Sequence, residues 1–340
     1  MNERINVGVV GCGYWGPNLI RNFHNLADCD LKVICDLDIQ RLNHLKGLYP
    51  QVEVSTDFQE LIARDDLHAL VIATSAPTHY GMAKEALLAG KHVFIEKPMA
   101  TSSTECDELV QLAAARGLTL MVGHTFLYSA PVRRIKEIIT AGDIGELRYI
   151  NARRLNLGLF QRNINVTWDL APHDISIMLY LLEHPVRKVS AIGASHVDTN
   201  VENIAYLTLQ FDTPMLAHFH VNWLAPAKVR RTIIGGSKKM LVYDDGEMDD
   251  KLRVYDSGAQ LAASREAMYR TFVEYRTGDV LIPKLEKAEA LAVEMKHFIN
   301  VVRGFEAPIS GGELGIEVVR VIEAAQRSLR MGGTAVEVER

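Results

Sequence analysis

Short apolar runs punctuate the first third of the chain, with helical patterns between them. Ile5–Val10, Leu31–Cys35, Ala69–Thr74, His92–Ile95 and Leu118–Val122 are apolar at successive positions instead of alternate ones. Strands apolar on both faces suit a parallel sheet covered by helices on each side. Tyr14–Leu26 and Ile39–Leu48 carry helical spacing between such runs. The pattern therefore predicts a doubly wound α/β domain over residues 1–124. After Gly123 the texture changes. Pro131–Ala141 predicts a helix ended by Gly142, and strand-like alternation follows at Leu147–Arg153, Val189–Val197, Ala205–Phe211, Leu216–Trp223 and Val229–Ile234. Few helices separate the later strands, so residues 125–340 are expected to form an α+β domain on one large open, mostly antiparallel sheet. Helical signals return at Pro172–Leu182, Glu286–Val302 and Leu314–Leu329, and a short helix is expected around Gln260–Tyr269.

Composition narrows the class. A chain of 340 residues exceeds what one hydrophobic core supports, which agrees with two domains. It is 48% hydrophobic and 23% charged, as soluble globular proteins are. A net charge of -5 argues against a nucleic-acid partner. The apolar run Ile5–Val10 is too short for a membrane span or a secretory signal. Cys12, Cys29, Cys35 and Cys106 form no CxxC pair and have no histidine at ligand spacing. A reduced, cytoplasmic setting without a metal site is the expectation.

Gly11-Cys12-Gly13-Tyr14-Trp15-Gly16 follows the first strand and opens the first helix. In that context Gly11 permits a tight turn, Gly13 lets a pyrophosphate approach the backbone, and Gly16 lets helix and strand pack closely. The helix N-terminus then offers free N–H groups to phosphate, and Pro17 costs nothing in a first turn. Asp36 follows the second strand, where an acidic residue binds the adenosine ribose hydroxyls. A carboxylate there repels a 2′-phosphate and no arginine is its immediate neighbour, so NAD is favoured over NADP. Arg41, one helical turn on, is the residue that weakens this preference.

Glu96-Lys97-Pro98 ends the strand His92–Ile95 at the carboxyl edge of the sheet, where ligands bind in such folds. A lysine beside a cationic nicotinamide can take part in proton exchange. Together with the N-terminal GxGxxG, Ala73-Thr74 and Pro77-Thr78-His79, this motif resembles the glucose–fructose oxidoreductase/inositol dehydrogenase family, written Gfo/Idh/MocA. The resemblance extends over nearly the whole chain. It implies that Lys97 contacts the substrate hydroxyl and the nicotinamide ribose, and that the Lys97–Pro98 peptide is cis. It also places Tyr14, Trp15, Thr74, Pro77, His79 and Glu96 with the glycines and Asp36 around the cofactor.

The same resemblance identifies Asp169-Leu170-Ala171-Pro172-His173 as the family's Asp-x-x-x-His at the start of a helix. Proline is best tolerated in a first turn, so Asp169 is expected at or near the cap and His173 about one turn in. The dipole at that end would keep the imidazole neutral, as a general base requires. The implied reaction passes hydride from a secondary alcohol to nicotinamide while His173 takes the hydroxyl proton, Lys97 hydrogen-bonds the same oxygen and Asp169 orients the base.

Arg153–Gly158, Gln161-Arg162-Asn163 and Trp168 depart from the lead-in of many members and resemble nucleotide-sugar 3-dehydrogenases, the UDP-N-acetylglucosamine type among them. Arg154, Arg162, Lys228 and Arg230 are candidates for a diphosphate, Asn156 and Asn163 for sugar hydroxyls, and His124, Tyr128 and Trp168 for the cleft lining. The alternatives are an inositol or free-sugar dehydrogenase, a non-catalytic NAD-binding regulator, and an NAD-dependent glycosidase. The sheet of the second domain needs covering on its second face, and the resemblance implies that this face pairs with another subunit in a homodimer or homotetramer.

Overall fold

The computed structural model describes residues 4–158, 160, 164–182, 184–197, 201–261 and 273–340. The early apolar runs are strands β1 (Ile5–Val10), β2 (Cys29–Cys35), β3 (Glu53–Ser55), β4 (Ala69–Ile72), β5 (His92–Glu96) and β6 (Leu120–Gly123). Helices α1 (Gly16–Asn25), α2 (Ile39–Leu48), α3 (Phe58–Ile62), α4 (Ala76–Leu88) and α5 (Ser103–Arg116) connect them. The strands pair in parallel in the order β3-β2-β1-β4-β5-β6. This is the doubly wound order, and it reverses between β1 and β4, where dinucleotides bind in such sheets. Each helix stops and starts for local reasons. The Asp38 side chain caps α2, Ser102 caps α5, and Gly117 at φ 64° closes α5.

The chain divides into two units, Met1–Tyr128 with Ala288–Val319, and Ser129–Lys287 with Arg320–Arg340. The first unit is thus discontinuous, where the sequence pattern drew one boundary after residue 124. The returning segment carries helix α8 (Ala290–Val302), whose Phe298 meets Phe23 and Phe94 edge-on at 6.2 and 5.6 Å. Its periodicity announces a helix, but nothing local says which sheet its apolar stripe will cover. Helix α9 (Gly312–Arg330) follows it.

The second unit opens with α6 (Ala130–Thr140), β7 (Leu147–Leu157) and α7 (Val166–Leu181). Strands β8 (Lys188–Ala194), β9 (Ile204–Gln210), β10 (Leu216–Asn222), β11 (Leu224–Gly236), β12 (Met240–Asp244) and β13 (Leu252–Tyr255) follow. Strands β14 (Gly258–Leu261), β15 (Val273–Arg276), β16 (Val280–Leu281) and β17 (Val336–Glu337) complete it. Among the described residues the large sheet runs β16-β13-β12-β11-β7-β10-β9-β8-β17, antiparallel except where β7 and β10 lie parallel. The open, mostly antiparallel sheet is as the alternation predicted. One face buries Ile150, Ala152, Ala217, Phe219, Leu207 and Leu209, while Tyr149, Ile192, Tyr206 and Leu216 stand exposed on the other.

One local expectation is corrected, and one falls largely outside the described residues. Gln260 and Leu261 end strand β14, paired with β15 through Gln260↔Glu274 and Leu261↔Val273, and the rest of the helix expected around Gln260–Tyr269 is not among the described residues. Residues 262–272 lie outside the described residues. Helix α7 starts at Val166, six positions before the proline, because Asn165 is an equally good cap and its side chain accepts the Trp168 N–H at 3.2 Å. Pro172 lies inside the helix and cannot donate to the Trp168 carbonyl.

Candidate active site

The glycine loop is shaped by contacts that exclude side chains at two positions and leave room at a third. Gly11 has φ 95°, and a Cβ there would lie 2.6 Å from the Ala73 carbonyl oxygen. A Cβ on Gly16 would lie 2.1 Å from the Gly11 oxygen. A Cβ on Gly13 would meet nothing nearer than Arg41 Nη1 at 3.9 Å, so the backbone is open to a ligand at that point. Tyr14 is exposed and Trp15 caps α1, flanking the loop. The cradle fits a pyrophosphate on the N-terminus of α1.

Asp36 holds this loop from behind. Its carboxylate accepts the Cys12 N–H at 2.6 Å and the Asp38 N–H at 2.8 Å. Arg41 corrects the sequence picture here: its Nη1 stands 3.8 Å from Asp36 and its Nε 3.3 Å from Asp38, because the first turn of α2 folds it back onto the strand end. A guanidinium therefore does sit beside the Asp36 carboxylate.

The second wall of the first unit joins two motifs. Thr74 Oγ1 and Thr78 Oγ1 are 2.7 Å apart at the start of α4, with Pro77 in its first turn. His79 is 1% exposed, and its ring nitrogens lie 3.1 Å from the Thr74 carbonyl and 2.8 Å from the Pro98 carbonyl. Burial pushes this imidazole below its ordinary range against the pull of the two carbonyls. His79 thus ties the end of β4 to the end of β5 and acts as a brace, not as a surface open to a cofactor. The Lys97–Pro98 peptide is cis.

Behind Lys97, which is half-buried, the environment is unusually dry and polar. Glu96 is buried and accepts the Lys97 N–H at 3.3 Å. Burial pushes its carboxyl up to about 7, with Lys97 opposing. Gly123 lies opposite it in the β5–β6 register, where a Cβ would come within 3.1 Å of the carboxyl carbon. His124 is buried with neither ring nitrogen paired among the described residues; burial, then Lys97, push it down to about 3. Tyr128, expected to line the cleft, is 2% exposed and bonds Ser310 Oγ at 3.0 Å, a core position.

In the second unit, Asp169 and His173 lie one turn apart on the same side of α7. Asp169 Oδ2 accepts the Trp223 indole N–H at 3.0 Å. Trp223 is buried at the end of β10 and packs where Gly158 leaves space, since a Cβ there would be 2.6 Å from Cδ1 and 3.3 Å from Asn156 Nδ2. Asn156, Asp169 and Trp223 are therefore brought together, while Trp168 is half-buried one position before Asp169. His173 sits two turns from the start of α7, beyond the reach of the terminal dipole, so the expected dipole argument for its neutral ring is withdrawn.

Arg154 is the clearest correction. It is 4% exposed, and its Nε and Nη2 bond the two Asp174 oxygens at 2.9 and 2.8 Å. A guanidinium committed to an internal carboxylate is not a diphosphate ligand. Arg230 pairs with Asp245 at 3.2 Å, and Lys228 is exposed. Arg162 and Asn163 lie outside the described residues. Sequence reasoning missed Trp223 and Glu294, because neither belongs to a motif near its partner in the chain.

Residues 5–124 match an oxidoreductase family with an NAD-binding Rossmann fold. Residues 132–242 match the GFO/IDH/MocA C-terminal domain. The chain belongs to the GFO/IDH/MocA oxidoreductase family. Within this family it is 25% identical over 350 residues to the uncharacterized oxidoreductase YrbE of Bacillus subtilis, covering 98% of this chain and 96% of that one. It is 25% identical over 346 residues to the scyllo-inositol 2-dehydrogenase (NADP(+)) IolW of the same organism, covering 96% and 94%. A UDP-N-acetylglucosamine 3-dehydrogenase from Acidithiobacillus ferrooxidans superposes with TM-score 0.80 at 24% identity, covering 97% and 99%. The GFO/IDH/MocA assignment makes the glycine loop on β1–α1 part of an NAD-binding Rossmann domain. No helix among the described residues is long and apolar enough to cross a membrane.

Proposed function

We propose that this chain is a dehydrogenase that moves hydride between a secondary alcohol of a cyclic sugar or polyol and NAD, with Lys97, Asp169 and His173 as its proton-handling residues. The observation that carries the reading is the Asp169–His173 pair on α7, with Asp169 fixed by the buried Trp223 indole. A base needs a fixed orientation, and a carboxylate held by a buried donor supplies it. When bound, the nicotinamide supplies the hydride acceptor. The Gly11–Gly16 loop would hold its pyrophosphate, Asp36 its ribose, and the ends of β4 and β5 the remainder. His173 removes the hydroxyl proton, Asp169 keeps the ring oriented, and Lys97 stabilises the charge that develops on the oxygen. Lys97→Ala and His173→Ala should each lower kcat at least about a hundredfold with NAD binding intact, and the double variant should be little worse than either single. Near-normal turnover in Lys97→Ala would refute the assignment.

Within this class we favour a nucleotide-activated sugar oxidised at C3, on the resemblance of the Arg153–Gly158 and Trp168 stretch. The loss of Arg154 as a ligand leaves Lys228 as the exposed cation of that set among the described residues. A cyclitol is the second reading, favoured by the full-length likeness to the scyllo-inositol enzyme. Absorbance of NADH with UDP-, GDP- and dTDP-sugars and inositols separates the two. Asp36 supports NAD over NADP, and Arg41 beside it supports residual NADP use. KM should favour NAD, and Arg41→Ala should abolish what NADP turnover there is; a wild-type preference for NADP would overturn the role of Asp36. The four buried free cysteines suit a reducing cytoplasm. The exposed face bearing Tyr149, Ile192, Tyr206 and Leu216 suits a homodimer or homotetramer, which light scattering tests.

A further inference from the structure

Glu294 is 0% exposed in the middle of α8 and belongs to no motif of the first unit. Its Oε2 accepts the Thr125 hydroxyl at 2.7 Å, and its Oε1 is buried with no partner among the described residues. Thr125 lies two positions after Gly123, which pairs in register with Glu96 and whose Cβ, if present, would lie 3.1 Å from the Glu96 carboxyl carbon. The topology thus sets two buried carboxyls, from segments far apart in sequence, against the same three-residue stretch of chain. Burial, and then the charge of Glu96, hold the Glu294 carboxyl well above the usual range despite Thr125. Two carboxyls in one dry space cannot both ionise.

We propose that Glu96 and Glu294 form a proton-holding pair behind Lys97, in which Glu294 keeps its proton and Glu96 takes up and gives back one proton in step with the charge of the cofactor. The assignment of the two roles follows from their surroundings. Glu294 has a neutral hydroxyl and an unpaired oxygen, whereas Glu96 has the Lys97 N–H and the Lys97 charge. Glu96 titrates at about 7, within the working range. The neighbouring imidazoles do not compete for this role: His124 is pushed down to about 3, and His79 is lowered by burial. The charge that acts on Glu96 is that of Lys97, and the charge that acts on Glu294 is that of Glu96; Lys97 also lowers His79 and His124.

The inference rests on the dehydrogenase reading, and its balance is simple. Oxidation of an alcohol sends a hydride, with both electrons, to the nicotinamide and releases one proton from the hydroxyl. His173 takes that proton. A bound nicotinamide would lose its positive charge in the same step, and the Glu96 carboxylate would then take up a separate proton from solvent and return it when a cationic cofactor binds again. No electron passes through the pair. Glu294 acts through Glu96 and is a positioning residue.

The test uses the full chain labelled with 13C at glutamate carboxyls, without cofactor, titrated by NMR. Wild type should show one carboxyl with a midpoint near 7 and a second held well above the usual carboxylate range. Glu96→Gln should remove the first and move the second down, because the Glu96 charge adds to the burial that raises it. Glu294→Gln should remove only the second. NAD+ should bind about tenfold tighter at about pH 8 than at about pH 6, NADH should not, and Glu96→Gln should abolish the difference. The wild-type titration alone decides if a variant fails to fold. Absence of any glutamate carboxyl titrating above about pH 6, or an unmoved second midpoint in Glu96→Gln, overturns the pair. If the titrations appear but no sugar or polyol is oxidised, the dehydrogenase reading fails and the pair stands.

Discussion

Changing Asp174 to asparagine keeps the shape of the side chain and removes its charge. In the wild type both carboxylate oxygens meet Arg154, and the two side chains are each 5% exposed. The amide would turn an N–H toward a buried guanidinium and remove the carboxylate charge that meets it at two atoms. Breaking such a pair costs about 3–5 kcal/mol. With a urea dependence of about 1–3 kcal/mol per molar, the unfolding midpoint of the second unit should fall by roughly 1–5 M. Fluorescence reports this unit, because Trp168 and Trp223 lie in it and Trp15 does not. Arg154→Met should destabilise similarly by stranding the carboxylate. The double variant Arg154→Met with Asp174→Leu should recover most of the loss, since an apolar pair of similar volume is often neutral or better than a buried ion pair. The reasoning is refuted if each single change costs less than about 1 kcal/mol while Arg154→Met raises KM. That outcome would return the guanidinium to substrate binding.

The glycine loop makes a paired prediction. Gly16→Ala places a methyl 2.1 Å from the Gly11 carbonyl, so α1 must back away and NAD binding should weaken at least about tenfold by calorimetry, with lowered stability. Gly13→Ala meets only open space, so the protein without cofactor should keep its melting temperature while losing NAD affinity; equal affinity in both variants and wild type would sink the pyrophosphate assignment. Trp223→Phe retains most of the burial but removes the bond to Asp169, worth about 1.5–3 kcal/mol for a charged acceptor, so kcat should fall roughly tenfold or more with KM for NAD unchanged. An unchanged kcat would show that the indole does not orient the base.

Elements whose signal is local were legible in the chain. The runs Ile5–Val10 and Ala69–Thr74 read as parallel strands because both of their faces are covered, and Ile39–Leu48 reads as a helix, which the structure caps with Asp38. The roles of Gly11, Gly13 and Gly16 follow from a turn only glycine makes, and the contacts around each agree with those roles. The start of α7 was less legible, since Asn165 and Asp169 both cap well and only packing chooses between them. Arg154 misled for a different reason. Its spacing places it on a strand, but whether it faces water or a carboxylate depends on α7, which contributes Asp174 from a separate element.

The amino-acid sequence by itself thus determined what repeats or turns within a few residues: the strand and helix periods, the glycine loop, and the motif at the end of β5. Tertiary structure alone decided the pairs Arg154–Asp174 and Asp169–Trp223, the approach of Arg41 to Asp36, and the acid pair of Glu96 with Glu294. Desolvation and Coulomb energy depend on distance in space and on exclusion of water. Neither quantity leaves a period in the chain.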